Sequence, residues 1–424
     1  MNRTGTGRIA LASLIGTTIE FYDFYIYGTA AALVLGRLFF PSSAPGVQTL
    51  AAFLTFGIAF LARPFGAFLF GHFGDRIGRK STLVASMLVM GLSTTLVGVL
   101  PGYVSAGALA PILLCVLRLG QGLGIGGEWG GAALIATENA PAGRRAWFGM
   151  FPQLGPSIGF LISNGMFLLL SVLLTDSQFL AWGWRIPFLA SAVLVIIGLY
   201  VRGKLSETPA FARLAERGGQ VRVPFTEVLS RHGGRLVLGS LAMVVCYAIF
   251  YISTVFTLGY ATHVRHVPRE SFLGILCVAI LAMAVVTPIS AALADWLGRR
   301  PVLLAGSLLA ILSGFLLPSL LGTSAGILLF PIMELALMGL VFAPMGAFLP
   351  ELFPAQVRYT GASATYNLGG ILGASLAPFA AQLLLARGGL PFVGYYIAVA
   401  GAVSFLAILA LGGSRLQNPG EVLA

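Results

Sequence analysis

Twelve stretches of the chain are apolar almost without interruption, each bounded by charge, proline or glycine. They fall at about 9–39, 47–71, 81–101, 107–138, 147–174 and 185–203, then at about 234–262, 270–294, 302–321, 325–350, 358–386 and 391–413. Runs of about 20 apolar residues are long enough to cross a lipid core as helices. The pattern therefore predicts an all-α membrane protein with twelve transmembrane helices. Residues 204–233 form the longest polar stretch, with Glu207, Arg213, Glu216 and Arg231. This stretch reads as a cytoplasmic linker joining an N-terminal six-helix half, 1–203, to a C-terminal one, 234–424.

Two motifs repeat. Gly71-His72-Phe73-Gly74-Asp75-Arg76-Ile77-Gly78-Arg79-Lys80 is echoed 220 residues later by Ala291-Ala292-Leu293-Ala294-Asp295-Trp296-Leu297-Gly298-Arg299-Arg300. Glu138, Pro141 and Arg145 recur 213 residues later as Glu351, Pro354 and Arg358, with the same spacing. Two independent pairs at nearly one offset imply an internal duplication, and hence two pseudo-symmetric six-helix bundles related by an axis along the membrane normal.

Composition excludes most alternatives: 58% of residues are hydrophobic and 9% charged, against roughly 25% charged in soluble domains. Lys and Arg number 25 against 14 acids, but they cluster in the short gaps between apolar runs. Positive-inside topology explains that excess better than nucleic acid does, and puts both termini in the cytoplasm. The first run carries Glu20 and Asp23 and does not read as a cleaved signal. Cys115, Cys246 and Cys277 lie in apolar runs and read as packing. No metal-ligand spacing and no nucleotide loop occurs, so neither a cofactor nor ATP coupling is expected.

The segment from Gly71 to Lys80 resembles the signature loop of the major facilitator superfamily. Within it, Ile19-Glu20-Phe21-Tyr22-Asp23-Phe24-Tyr25, Arg63-Pro64-Phe65-Gly66, Arg118-Leu119-Gly120-Gln121-Gly122, Gly126-Gly127-Glu128-Trp129-Gly130-Gly131 and Trp182-Gly183-Trp184-Arg185-Ile186-Pro187-Phe188 are similar to the metabolite:proton symporter family. The resemblance implies the major facilitator fold and a monomeric inner-membrane carrier, embedded in lipid, that is not an enzyme. It also implies import of small organic acids, or of zwitterionic osmolytes, together with protons.

A cytoplasmic gate is expected from Gly71, Asp75, Arg76, Gly78, Arg79, Lys80, Glu138, Arg145, Asp295, Arg299, Arg300, Glu351 and Arg358. Asp75 and Asp295 would accept hydrogen bonds from helix N-termini of the other half, and Arg79, Lys80, Arg299 and Arg300 would pair with Glu138 and Glu351. Trp296 stands where the first copy has Arg76, which weakens the second copy's contacts.

Ionisable residues inside spans are costly and therefore functional candidates. Six qualify: Glu20, Asp23, Arg63, Arg118, Glu128 and Glu334. Four acids face two arginines, so at least one acid is available to exchange a proton. Asp23 or Glu20, with Glu128 beside them, is expected to couple the proton, and Arg118 to hold the substrate carboxylate in its planar fork. Arg63 precedes Pro64 near the inner rim, which ranks it behind Arg118. A static network of Arg63, Glu20 and Glu128 is the competing reading. Glu334 is either a protonated packing residue or a cavity group reading the ligand. Arg118, Gln121, Ile125 and Glu128 should line one helix face. Tyr27, Trp129, Gln153, Asn164, Tyr251, Tyr366 and Asn367 complete the candidate substrate contacts. Three rival functions stand beside the organic-anion importer. They are an osmolyte symporter, disfavoured by the lack of a heptad-bearing tail, a drug antiporter suggested by Gly155-Pro156-Ser157-Ile158-Gly159, and a non-transporting receptor.

Overall fold

The computed structural model describes residues 3–41, 45–77, 79–126, 128–138, 140–203, 224–354 and 357–412. No strand occurs among them. Ten helices are long and apolar enough to cross a membrane. The third span, Arg79–Val97, has a shorter apolar stretch, Val84–Val97. The first span, Arg3–Ala30, carries Glu20 and Asp23. Together these make the twelve spans of the major facilitator fold. A helix satisfies its own backbone groups, which lipid cannot do. The large apolar side chains turned outward, such as Leu92, Ile196, Leu312 and Val399, are more than half exposed.

Spans one to six form one bundle and seven to twelve the other. The third, sixth, ninth and twelfth spans make their principal contacts inside their own bundles. The bundles meet where the fifth span (Arg145–Leu173) packs on the eighth (Arg269–Leu297) and tenth (Gly326–Glu351), and where the second (Pro45–Ile77) packs on the eleventh. The seventh span begins at Pro224 and is kinked at His232, so the last ten residues read as linker are helical. The rest of that linker, 204–223, lies outside the described residues.

Three spans contain a π-helical turn: Ala31–Leu35 in the first, Ile252–Phe256 in the seventh and Ile371–Ser375 in the eleventh. Such a turn holds one residue more than an α-turn and often marks a functional place. The first two lie 221 residues apart, close to the offset of the repeated loops, and they touch one another across the bundle interface.

The fourth span is described as Leu109–Ile125 and Glu128–Glu138. Asn367 of the eleventh span reaches it, its Nδ2 donating to the Gly126 carbonyl at 2.9 Å. Glycine is needed here because a Cβ on Gly126 would overlap the Arg63 carbonyl, and one on Gly122 the Ala59 carbonyl. The second and fourth spans therefore pack backbone to backbone. The face expected to run from Arg118 to Glu128 ends outside the described residues, since the Glu128 side chain lies beyond them.

Candidate functional site

At the centre of the N-terminal bundle two arginines are sealed from water. Arg118 is 0% exposed and Arg63 1%, and the Phe24 ring stands between them. The Arg63 guanidinium carbon lies 4.4 Å from that ring's centroid, and that of Arg118 5.3 Å. Phe60 faces Arg63 at 4.3 Å, and Tyr27 faces Arg118 at 3.8 Å. Aromatic faces attract a desolvated cation by about 2 kcal/mol. That falls short of the cost of burying a guanidinium whose N–H groups go unused.

Arg118 donates from Nη1 to Gln121 Oε1 at 2.6 Å and from Nη2 to the Phe56 carbonyl at 2.9 Å. Gln121 passes the chain on from Nε2 to Thr94 Oγ1 at 2.7 Å. The Tyr27 hydroxyl meets Thr55 Oγ1 at 2.6 Å. Arg118 Nε and all three Arg63 nitrogens lack a hydrogen-bond partner among the described residues. Arg63 lies buried against Phe24 and Phe60. Glu20 and Asp23 are buried in the first span beside these groups. The side chain of Glu128 lies outside the described residues.

A small cavity adjoins this cluster, lined by Tyr25, Thr29, Phe56, Phe160, Tyr251 and Thr254 among others. It has room for about one water molecule, far less than ordinary small-molecule sites, as in a bundle closed around its path. Tyr251 packs edge-on to Phe56 and Phe60.

The other candidate contacts lie in separate layers. Trp129 stacks on Tyr366 with centroids 4.0 Å apart and donates to Gln153 Oε1 at 2.9 Å; Gln153 donates to the Phe342 carbonyl of the tenth span at 2.9 Å. Asn164 joins the fifth span to the eighth through the Leu273 carbonyl at 3.1 Å. Glu334 does not join the cluster, because its polar neighbour is Ser313 of the ninth span.

At the end of the bundle that bears the repeated loops, Asp295 caps the fifth span of the opposite bundle. Its two carboxylate oxygens accept the Ala146 and Trp147 backbone N–H groups, each at 2.9 Å. Glu351 pairs with Arg299 at 3.2 Å and, across the bundles, with Arg145 at 3.9 Å. Arg358 reaches Glu138 at 3.7 Å. The duplicated Glu and Arg are therefore exchanged, each acid bound to the other copy's base. Arg300 departs from expectation. It donates to the Ile408 and Leu409 carbonyls of the last span and reaches neither Glu138 nor Glu351, because its helix turns it away from the interface. Trp296 is exposed. The side chains of the first loop copy (Gly71, Asp75, Arg76, Arg79, Lys80), and Gly78 entirely, lie outside the described residues.

The opposite end carries a clasp that the sequence analysis did not single out. Arg269, at the start of the eighth span, binds Asp176 at 3.0 Å, donates from Nε to Ser171 Oγ at 2.8 Å and covers the Phe179 ring at 3.8 Å. The aromatic wall was also missed. Phe56, Phe60 and Arg63, spaced four and then three residues apart on one helix, were the signal available for it.

Two six-helix bundles, a buried polar core and exchanged ion pairs at one end define a membrane carrier. The profile of the sugar (and other) transporter family matches residues 9–231 and 234–411, and the chain belongs to that family within the major facilitator superfamily, in its metabolite:proton symporter branch. It is 51% identical over 418 residues to the inner membrane metabolite transport protein YhjE of Escherichia coli (strain K12), covering 97% of this chain and 95% of that one. It is 40% identical over 418 residues to the shikimate transporter of the same organism, covering 96% and 95%. Among solved structures, the proton:xylose symporter XylE bound to 6-bromo-6-deoxy-D-glucose superposes with a TM-score of 0.77 at 17% identity, covering 98% and 96%. At that identity the likeness is one of fold. The chain is a transporter and not an enzyme.

Proposed function

We propose that the chain is a secondary carrier of the bacterial inner membrane that imports a small organic anion, a carboxylate or shikimate-like acid, together with protons. The loop-bearing end and both termini face the cytoplasm. The observation that carries this reading is the pair of buried guanidiniums, Arg63 and Arg118, on either side of Phe24, with N–H donors that have no hydrogen-bond partner among the described residues. Such donors favour an anion, and a planar fork suits a carboxylate. The metabolite and shikimate transport named for its relatives points the same way.

In this reading Arg118 and Arg63 hold the anion, while Gln121, Tyr27 and Tyr251 shape the space around it. Asp23 or Glu20, with Glu128 nearby, binds and releases the proton. Trp129, Gln153, Asn164, Tyr366 and Asn367 lock the bundles around the loaded site. Asp295, Arg299, Glu351, Arg145, Glu138 and Arg358 close the cytoplasmic side, with the first loop copy as their counterpart.

The test is uptake of labelled shikimate, citrate and 2-oxoglutarate into proteoliposomes. An inward proton gradient drives accumulation of at least one of them, uptake rises as the outer medium is acidified, and a protonophore stops it. Asp23→Asn or Glu20→Gln abolishes accumulation while leaving substrate exchange. Accumulation of proline or betaine alone, or only under an outward gradient, overturns the reading.

A further inference from the structure

The duplication offers a comparison inside one chain. Applying the 213-residue offset of the Glu-Pro-Arg motif to Gln121 gives Glu334, and applying it to Arg118 gives Pro331. The 220-residue offset of the loop motif relates Ser93 to Ser313. In the first bundle the Gln121 amide is fully used, donating to Thr94 and accepting from Arg118. In the second bundle a carboxyl stands in its place, and the cation has become a proline.

Glu334 is 0% exposed, and neither of its oxygens has a hydrogen-bond partner among the described residues. Ser313 of the ninth span is the one side chain that acts on it. That hydroxyl also reaches the Ala310 carbonyl at 2.9 Å. Ser313 therefore gives Glu334 one neutral neighbour, divided between two acceptors, and no positive charge. Several titratable groups of the spans packed on the tenth are engaged elsewhere: Tyr247 with Tyr366, Tyr251 with the Phe56 and Phe60 rings, Cys277 with Asn164. The charged groups of those spans act at the two ends, Arg269 with Asp176 at one, Asp295, Arg299, Glu351 and Arg358 at the other. A carboxylate here would have at most that shared hydroxyl and no counter-charge, in a medium where that costs several kcal/mol.

The tenth span is also part of the moving wall. Its Phe342 carbonyl is bound by Gln153 of the opposite bundle, and its last residue, Glu351, is in the gate. Rocking of one bundle against the other must break both contacts and change what surrounds this helix.

We propose that Glu334 is a second proton-binding site, carried by the C-terminal bundle, loaded in this closed state and exchanging its proton with the medium when the bundles part. The site rests on the symporter reading for its role in transport, and on its own geometry for its existence. Infrared spectroscopy of the purified full-length protein tests it. The wild type shows a carboxylic-acid carbonyl band at neutral pH that shifts in D2O and is lost reversibly in alkali. Glu334→Gln loses the band, Glu334→Asp keeps it at a changed frequency, and Ser313→Ala shifts it by removing the hydroxyl beside it. Asp23→Asn and Glu20→Gln retain it. No difference between the wild type and Glu334→Gln overturns the proposal, as does a band that neither exchanges nor titrates. If Glu334→Gln fails to fold, the Glu334→Asp and Ser313→Ala shifts decide the matter. A wild type lacking proton-driven uptake overturns the symport reading instead and leaves this band unaffected.

Discussion

Arg118 has three kinds of neighbour, each using a different part of its fork: a carbonyl, an amide and an aromatic face. Lysine at this position keeps the charge but loses the planar geometry. A charge-assisted hydrogen bond is worth about 1.5–3 kcal/mol, so Arg118→Lys raises the KM for the transported anion by about tenfold or more, read from initial uptake rates. An unchanged KM removes Arg118 from the substrate contacts. At this scale the sequence was informative about which residues mattered and poor on where they go. Charges such as Arg63 and Arg118 stand out because lipid penalises them wherever they point. The partners that make them tolerable, Phe24 and Phe60, are ordinary apolar letters. Glu334 was visible for the same reason, but its separation from the central cluster depends on a helix rotation that composition does not encode.

Among the elements, the clasp at the start of the eighth span shows how exposure decides which contact matters. Asp176 is 87% exposed and Arg269 15%, so the ion pair alone is worth at most about 1 kcal/mol. The Ser171 hydrogen bond and the Phe179 ring add contacts shielded from solvent. Asp176→Asn therefore changes little, whereas Arg269→Ala loosens this end. The measurement is labelling of a cysteine at Thr29, which lines the cavity, in a chain lacking Cys115, Cys246 and Cys277. Arg269→Ala speeds labelling several-fold; equal rates in both variants would assign the clasp no part in closure. Apart from the seventh, which starts ten residues early at Pro224, the apolar runs located the spans to within several residues, since hydrophobic length is a direct imprint of the bilayer. They gave no sign of the π-helical turns, because helix register there is not a matter of hydrophobic length.

For the whole molecule, the closed form is held at both ends by contacts of modest individual worth, as a carrier that must open alternately requires. The exchanged pairs of Arg145 with Glu351 and Arg358 with Glu138 are long and partly solvated, so each adds little. Asp295 contributes more, since a carboxylate on the first N–H groups of a helix gains about 0.3–2 kcal/mol from the helix dipole. Asp295→Asn keeps the shape and removes that charge. It raises the labelling of a cysteine at Ala347, beside the gate pairs, from the loop-bearing side; unchanged labelling there would show the cap to be dispensable. The duplication was legible because motif spacing survives in sequence. That each acid binds the other copy's base was not, since a repeat specifies equivalent positions without saying which copies meet.

The turns at Ala31–Leu35 and Ile252–Phe256 also bear on history. Each marks one residue inserted into an α-helix, and the two occupy the same place in both repeats. A single insertion in an ancestral six-helix chain, copied when the gene doubled, accounts for both. The turn at Ile371–Ser375 has no counterpart in the unbroken fifth helix, Arg145–Leu173, and so records a later event in one copy. Helix register thus dates the divergence of the halves where their residues no longer match.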